Sequence, residues 1–403
     1  MKISPVWIFA LPFAAACAAG GASPAGAPAL TAAVAVQCPA GVNNAQTAFS
    51  RDAEQQLLRA QVVGQAARQP LYQQALTQAQ AGIAADANNP QHYFLAGQAH
   101  ISMGNYVAAD SAFRRAETLC AAYGEETLPL RAQAFQTLYN QGLEAYQRND
   151  TVAAIAAWQG STRIFDREPD PYFNLAILHT SRGQHDQALA MYNQTLTALE
   201  RPGIDTTAEA VAARADLRQK TEAGLLNVGA QYFQAKNHAR AAEVFERLTR
   251  LNPNNRDAWY NYALALYTQE RWPQLVPVAQ RVVQMDPLNE NANIILFNAY
   301  KNANQNNEAL KVLQATEALP VHVTGVQLEP GEGRSVLRGQ VAGNQARAGT
   351  PVRLEFTFYG PTGALGTPQQ VIVNAPAKGA TANFEVALQN ATPAVSYSYR
   401  VVR

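Results

Sequence analysis

Four asparagines recur at matched intervals along the middle of this 403-residue chain. Asn174 follows Asn140 by 34 residues, and Asn261 follows Asn227 by the same interval. An asparagine side chain donates from its amide nitrogen and accepts at its amide oxygen, so it can bind a peptide backbone whatever the peptide's sequence. The interval therefore predicts a row of hydrogen-bonding groups carried by a repeating scaffold.

Aromatic residues accompany this row, and a single lysine lies beside it. The aromatic residues are Tyr139, Tyr146, Phe173, Tyr260 and Tyr267. Such rings pack on sugars as well as on peptides. Two ligand classes therefore stay open, an extended polypeptide and a glycan or peptidoglycan strand recognised for an envelope enzyme or export machine. Lys301 is the one basic candidate, which disfavours capture of a peptide's charged end and favours an internal segment.

Residue combinations that carry catalysis or bind metals are missing from the sequence. The 3 cysteines and 6 histidines are scattered, with no His-Glu-x-x-His, no Cys-x-x-Cys and no Gly-x-Ser-x-Gly. Gly331-Glu332-Gly333 precedes a predicted strand, whereas a phosphate cradle needs the start of a helix. We therefore expect a non-catalytic protein that needs no cofactor and no metal.

The charge balance argues against nucleic acid and anionic membranes as partners. Lys and Arg number 31 against 30 Asp and Glu, which leaves a net charge of +1. A chain with this balance has no long-range field to attract nucleic acid or an anionic membrane. Other proteins are the expected partners, and contact with a membrane is expected only through an anchor at the amino terminus.

The amino terminus has the composition of an export signal. Residues 1–17 place Lys2 before an apolar run and then three alanines that precede Cys17. This order resembles the lipobox of bacterial lipoproteins, in which the cysteine is acylated, although Ala14 stands where that family usually has Leu. Ordinary cleavage at an Ala-x-Ala site is the alternative. Either outcome predicts an exported protein, in the periplasm or as an outer-membrane lipoprotein.

A leader follows, rich in Ala, Gly and Pro. Residues 18–45 bury too little apolar surface to offset the entropy of ordering, so a flexible tether is expected. If Cys17 is acylated, Cys38 and Cys120 remain as a pair. In an oxidising compartment a disulfide and two free thiols are both consistent with the sequence.

The middle of the chain repeats with a period of 34 residues. Pro253 and Pro287, in LNPNNRDAWYNYALALY and MDPLNENANIILFNAY, lie one period apart. Small and aromatic residues recur in the pattern of the tetratricopeptide repeat, a helix–turn–helix unit that this region resembles. The matching residues are Tyr93, Gly97, His100, Gly104, Tyr106, Ala109, Phe113, Ala116, Gly142, Ala154, Trp158, Tyr172, Ala176, His179, Gly183, Ala188, Tyr192, Gly229, Tyr232, Ala241, Phe245, Trp259 and Ala263.

The resemblance implies an α-solenoid over residues 46–320 that binds other proteins in a concave groove lined by the first helix of each unit, the A helix. A small residue in the A helix lets the second helix approach, and a large aromatic fills the space beside it. The row Asn140, Asn174, Asn227 and Asn261 occupies the sixth position of the A helix. It resembles the ladder with which the tetratricopeptide arm of peptide-glycosylating transferases grips extended polypeptide. Local hydrogen bonding within the helices is the alternative role.

Seven units are predicted, beginning near residues 56, 90, 135, 169, 222, 256 and 290, and the first and last are degenerate because terminal repeats act as caps. Two insertions break the period, AAYGEETLPLRAQ at 121–133 and RPGIDTTAEAVAARADLRQK at 201–220. In the second, Pro202 and Gly203 end a helix, and Thr206 to Glu209 offer a capping box. The fifth A helix is therefore expected to extend by several turns at its amino end.

After Pro320 the apolar pattern changes from helical spacing to alternation. VRLEFTFY places Val352, Leu354, Phe356 and Phe358 on one face, and NFEVALQ and VSYSYRVV alternate in the same way. About six short strands are predicted, which indicates a small antiparallel β-sandwich over residues 321–403. The run from Phe356 to Gly360 resembles the FxLYD-type domains of bacterial surface proteins, a likeness that implies a fold and no activity. The predicted fold class is mainly α, a tetratricopeptide solenoid followed by this sandwich.

Overall fold

The computed structural model describes residues 36–201, 207–331, 333–360, 363–390 and 392–402. The predicted signal with Cys17, and the leader up to residue 35, lie outside the described residues. Among the described helices, none has the length and apolar character that crossing a bilayer requires. The chain divides into two compact units, whose described parts are residues 36–201 and 207–402.

The first unit is built of four helix pairs. Its helices are α1 (Ala48–Val62), α2 (Gln65–Ala85), α3 (Pro90–Ser102), α4 (Tyr106–Leu119), α5 (Tyr123–Gln147), α6 (Thr151–Ile164), α7 (Asp170–Ser181) and α8 (His185–Glu200). Each odd-numbered helix packs on the even-numbered helix that follows it, and α3 also packs on α1 and α5. The odd-numbered helices of both units are called A helices below, and the even-numbered ones B helices.

The pairs form because small and large residues meet as the repeat pattern predicts. Gly97 of α3 lies against the Phe113 ring of α4, and Gly142 of α5 lies against the Trp158 ring of α6. A Cβ atom added at either glycine would overlap the ring. Phe113 and Trp158 are fully buried, so the ring fills the space that the missing side chain leaves open. This confirms the expected close approach of the two helices in these two pairs.

Helix α5 starts earlier than the sequence predicts. Residues 121–133 were expected to interrupt the repeat, with the unit starting near residue 135, yet the helix begins at Tyr123 and continues past Pro129. The extra turns are held by Arg131, whose guanidinium donates to the Ile164 carbonyl oxygen (3.0 Å) and pairs with Asp110 and Glu117. These partners come from α4 and α6, so burial of one arginine stabilises a helix start that the local sequence disfavours. Helix α1 likewise begins at Ala48 rather than near residue 56.

The last ten residues of the leader are packed, which corrects the expectation of a flexible tether up to residue 45. A disulfide joins Cys38 to Cys120 at the end of α4. The Tyr123 hydroxyl donates to Asn44 Oδ1 (2.8 Å), and Asn89 Nδ2 donates to the carbonyl oxygen of Ala45 (2.9 Å). The disulfide left open by the sequence is therefore formed, and it fixes residues 36–45 on the first unit.

The second unit holds three helix pairs and all the described strands. Its helices are α9 (Ala208–Gln234), α10 (His238–Leu251), α11 (Arg256–Thr268), α12 (Trp272–Met285), α13 (Glu290–Asn302) and α14 (Asn306–Glu317). The 27 residues of α9 confirm the predicted extension of the fifth A helix. The N-cap of α9 is Thr207, whose side chain accepts from the backbone N–H of Ala210. The predicted helix break at Pro202 and Gly203, and Thr206 of the predicted capping box, lie outside the described residues.

Six strands follow α14 and form two three-stranded antiparallel sheets. They are β1 (Val321–Glu329), β2 (Gly333–Gly343), β3 (Pro351–Gly360), β4 (Gly363–Asn374), β5 (Thr381–Asn390) and β6 (Ser396–Val402). The strand orders are β1-β2-β5 and β4-β3-β6. The alternating residues of β3, from Val352 to Phe358, are buried as predicted. The alternation in β6 is broken at its end, where Val401 is exposed rather than buried.

Strand β6 packs on α11 and α12, and strand β1 packs on α13, beside a buried ion pair between the start of α11 and the end of α12. Arg256 at the start of α11 binds the carboxylate of Asp286, which is fully buried. The backbone N–H of Arg256 donates to the Ser396 hydroxyl (2.9 Å), and the Tyr399 hydroxyl accepts from the backbone N–H of Leu288 (3.2 Å). Burial, together with the negative charge of Asp286, raises the pKa of Tyr399 well above its ordinary value. The strands thus share one compact unit with these helices.

Candidate functional site

The asparagine row lies on the A helices, with two members in each unit. In the first unit, Asn140 is carried by α5 and Asn174 by α7. Both side chains are half-buried, and Asn174 Nδ2 donates to the hydroxyl of Tyr139 at 3.5 Å. One predicted aromatic and one predicted asparagine are therefore brought together across two successive A helices.

In the second unit, Asn227 lies on α9 and Asn261 on α11, and both are half-buried. A comparable contact forms one helix further on, where Asn298 Nδ2 of α13 donates to the Tyr267 hydroxyl at 3.4 Å. The sequence did not point to Asn298, because it follows Asn261 by 37 residues and stands in the degenerate last unit. A sequence search that paired each asparagine with a tyrosine on the preceding A helix would have identified Asn298.

Two members of the row also bond to a glutamine on their own helix. Gln136 Nε2 donates to Asn140 Oδ1 (3.0 Å), and Gln231 Nε2 donates to Asn227 Oδ1 (3.4 Å). An asparagine amide has two N–H donors and an oxygen with two lone pairs, so one such bond leaves hydrogen-bonding capacity at each side chain. Within the described residues, the side chain of Asn261 makes no hydrogen bond. Local bonding and ligand binding are thus both compatible with this geometry.

The predicted aromatic surface is smaller than the sequence suggests. Phe173 is only 8% exposed and meets the Tyr192 ring edge-on, with 6.0 Å between the ring centroids. Tyr260 is 4% exposed, and its ring lies 5.5 Å from the guanidinium carbon of Arg256. Burial raises the pKa of Tyr260 to about 12. Both rings belong to the core, so neither is available to stack on a ligand.

Three of the predicted aromatic residues are half-buried, namely Tyr139, Tyr146 and Tyr267. Tyr139 stacks on Phe135 of its own helix, with 5.8 Å between the ring centroids and 9° between the planes. Tyr146 packs on Trp158, and Tyr267 meets Trp272 edge-on, each ring resting on the B helix of its pair. Each of these rings is thus held against one neighbouring ring.

Lys301 is exposed in the last turn of α13. A cation there interacts favourably with the carboxyl-terminal end of the helix dipole, so the position has a structural role of its own. In the part of the chain that the structure describes, no three His, Cys, Asp or Glu side chains are grouped so that they could hold a metal ion. The predicted site residues therefore supply amide, phenol and aromatic groups and one exposed ammonium group.

Two stretches of the chain match family models for the tetratricopeptide repeat. They cover residues 91–123, which include α4 and all of α3 except its first residue, and residues 229–290, which reach from α9 to the start of α13. The chain therefore contains tetratricopeptide repeats, and these support a protein–protein interaction scaffold. No curated protein sequence matches the chain.

Several solved structures resemble part of the chain at low identity. A MamA protein is 14% identical over 45% of this chain and 89% of its own, with a TM-score of 0.30. MamA from Desulfovibrio magneticus RS-1 is 16% identical over 45% and 92% of the two chains, with a TM-score of 0.28. YrrB, described as a TPR protein with an unusual peptide-binding site, is 16% identical over 44% and 82%, with a TM-score of 0.29. At these scores the repeat assignment rests on the family models and on the helix pairs.

Proposed function

We propose that this chain is a non-catalytic scaffold of the bacterial cell envelope that binds an extended polypeptide on its A-helix faces. The observation that carries the proposal is the asparagine row. Four half-buried amides stand at the same position of α5, α7, α9 and α11, and each retains hydrogen-bonding capacity. Backbone N–H and C=O groups of an extended chain are the partners that such amides can bind without reading side chains.

A polypeptide is favoured over a glycan by the burial of the aromatic rings. Sugar recognition needs an open ring face, and the faces of Phe173 and Tyr260 are inside the core. The rings that remain are half-buried, and one face of Tyr139 is covered by Phe135. Glycan recognition for an envelope enzyme or export machine therefore stands as the second candidate. With Lys301 as the one basic candidate at the site, an internal segment suits the surface better than a charged carboxyl terminus.

An exported location, in the periplasm or on the outer membrane, is supported by the Cys38–Cys120 disulfide. Disulfides persist in oxidising compartments and are rare in the reducing cytosol. A labelled-palmitate experiment tests the anchor. If palmitate labels the parent chain but not the Cys17→Ser variant, Cys17 is acylated. If the parent chain is processed but carries no label, the signal is removed by ordinary cleavage.

Site-directed photo-crosslinking tests polypeptide binding. A benzoylphenylalanine at Gln136, exposed on A helix α5, is compared with one at Gln159, exposed on the paired B helix α6. The proposal predicts a discrete cross-linked polypeptide from position 136 and none from position 159. Equal cross-linking from both positions, or cross-linking to glycan alone, would contradict it.

The asparagine row has its own test. Replacing Asn140 and Asn227 by alanine is expected to weaken capture of the cross-linked partner while leaving the melting temperature within about 2 °C of the parent, because both side chains are half-buried and bond locally. Capture at the parent level by the double variant would show that the row serves the helices only.

A further inference from the structure

Helix α14 ends the series of helix pairs, and no A helix follows it. In the second unit, α10 packs on both α9 and α11, and α12 packs on both α11 and α13. Helix α14 packs on α13, and the chain then enters strand β1 at Val321. The side of α14 that corresponds to the covered side of α10 and α12 thus has no A helix against it.

This side of α14 carries large apolar residues. Positions 34 residues apart correspond in successive B helices, and Phe245 and Ala279 are fully buried at the position that Leu313 holds in α14. Leu313 itself is 37% exposed. Ala242 is buried in α10, whereas Leu310, two periods later, is 53% exposed. A repeat that serves only as a cap faces water with polar residues, so the two neighbouring leucines favour a partner on this side.

Four exposed residues form a stripe along this side, called the α14 stripe below. They are Asn306, Leu310, Leu313 and Glu317, spaced by four, three and four residues, which places them on one face of a helix. The spacing is the same in both directions along the helix. The leucines lie at the centre of the stripe, with an amide at its amino end and a carboxylate at its carboxyl end.

A stripe of this symmetry is complementary to a second copy of itself. When two α14 helices lie side by side in opposite directions, Leu310 of each copy meets Leu313 of the other, and Asn306 meets Glu317. An asparagine amide donates hydrogen bonds and a carboxylate accepts them, so the ends of the stripe match as well as its centre. Parallel pairing would instead set the two Glu317 carboxylates side by side, where they repel one another.

The polar ends of the stripe are available for these bonds. Among the described residues, the side chains of Asn306 and Glu317 make no hydrogen bond and no ion pair. The charges elsewhere on α14, on Glu308 and Lys311, pair with each other at 2.8 Å. A second copy that docks on the stripe therefore supplies the partners that its two ends lack within the chain.

We propose that α14 is a self-association surface on which a second copy of this chain docks, with the two helices antiparallel about a two-fold axis. Two-fold pairing is the commonest symmetry of soluble oligomers, and it uses the same patch on both copies. Each helix contributes 12 residues, about 18 Å in length, so the interface is smaller than those of permanent dimers and the pair dissociates on dilution. Dimerisation does not depend on a ligand of the A-helix faces.

Sedimentation equilibrium tests dimerisation of the chain that begins after the predicted signal. We expect the mean mass to rise from that of a monomer to that of a dimer as the concentration increases from the micromolar to the millimolar range. A chain that stays monomeric throughout would overturn the inference and leave the α14 stripe to a helix of another protein. Growth beyond a dimer would overturn it as well, because it would show a head-to-tail contact that does not close.

A matched pair of variants locates the surface. Leu313→Asp places a carboxylate at the centre of the stripe and is expected to weaken dimerisation about ten-fold. Leu58→Asp makes the same change at a similarly exposed leucine of α1 and should dimerise as the parent does. Circular dichroism checks that both variants fold. Equal dimerisation of the two variants would contradict docking through α14.

The antiparallel register has its own test. Asn306→Lys is expected to strengthen dimerisation about three-fold, because it forms two ion pairs with Glu317 of the other copy. Adding Glu317→Lys should weaken dimerisation below the parent level, since lysine then faces lysine. Both positions are exposed, so these chains also test the surface if Leu313→Asp does not fold. Unchanged dimerisation in both chains would refute the register.

Discussion

Reduction of the Cys38–Cys120 disulfide is expected to destabilise the first unit strongly. The bond joins residues 82 positions apart and fixes the end of the leader beside the start of α5. In the folded state the leader is also held by Asn44 and Ala45 through hydrogen bonds to Tyr123 and Asn89. Reduction therefore leaves the native contacts in place, and its main effect falls on the unfolded chain.

The size of the effect follows from the length of the closed loop. In the chain-entropy description, cross-linking a loop of this length lowers the entropy of the unfolded state by an amount worth about 4.5 kcal/mol at 25 °C. For a unit of this size, 1 kcal/mol shifts the melting temperature by about 2–4 °C. Reduction is therefore expected to lower the melting temperature of the first unit by about 9–18 °C.

Trp158 provides a reporter for the first unit alone. A chain that begins after the predicted signal and carries Trp259→Phe and Trp272→Phe keeps Trp158 as its single tryptophan. That side chain is 1% exposed and donates to the Tyr139 carbonyl oxygen, so its fluorescence should change on unfolding. Melting curves are recorded with and without a phosphine reductant.

A Cys38→Ser variant of this single-tryptophan chain is the control. Cys38→Ser removes the bond at its half-buried end and should melt at the same temperature with and without reductant, close to the reduced parent. If oxidised and reduced parent melt within about 2 °C of each other, the bond does not restrain the unfolded chain and the loop argument is wrong.

Two further changes test packing and burial. Gly229→Ala should destabilise by about 1–3 kcal/mol in urea unfolding, because the new Cβ would overlap the Phe245 ring, whereas Gly124→Ala, with open space around it, should cost nothing. Equal effects at the two glycines would contradict the close-approach argument. Burial raises the pKa of Glu222 above its unfolded value, so its carboxyl destabilises the fold as the pH rises through the folded-state pKa. Glu222→Gln should then be more stable than the parent at about pH 8 and equal to it near about pH 4, and a constant difference across that range would refute the assignment.

The sequence alone determines the parts of this protein whose contacts are local. The 34-residue period, with Gly97 facing Phe113 and Gly142 facing Trp158, predicts helix pairs because both partners lie within one repeat. The alternation in β3 predicts its buried face for the same reason, since a strand's two faces are set by neighbouring residues. The position of the asparagine row on the A helices follows directly from this periodicity.

Only the tertiary structure decides features that join distant residues. The early start of α5 depends on Arg131 meeting Asp110 and Ile164, and no local pattern encodes that meeting. Phe173 looks like a ligand-facing ring in the sequence, but it is buried because Tyr192 of the next helix packs against it. Periodicity shows which face of a helix a residue occupies. Whether that residue is buried depends on which neighbour covers the face, and in this protein the covering residues come from other helices or from the leader.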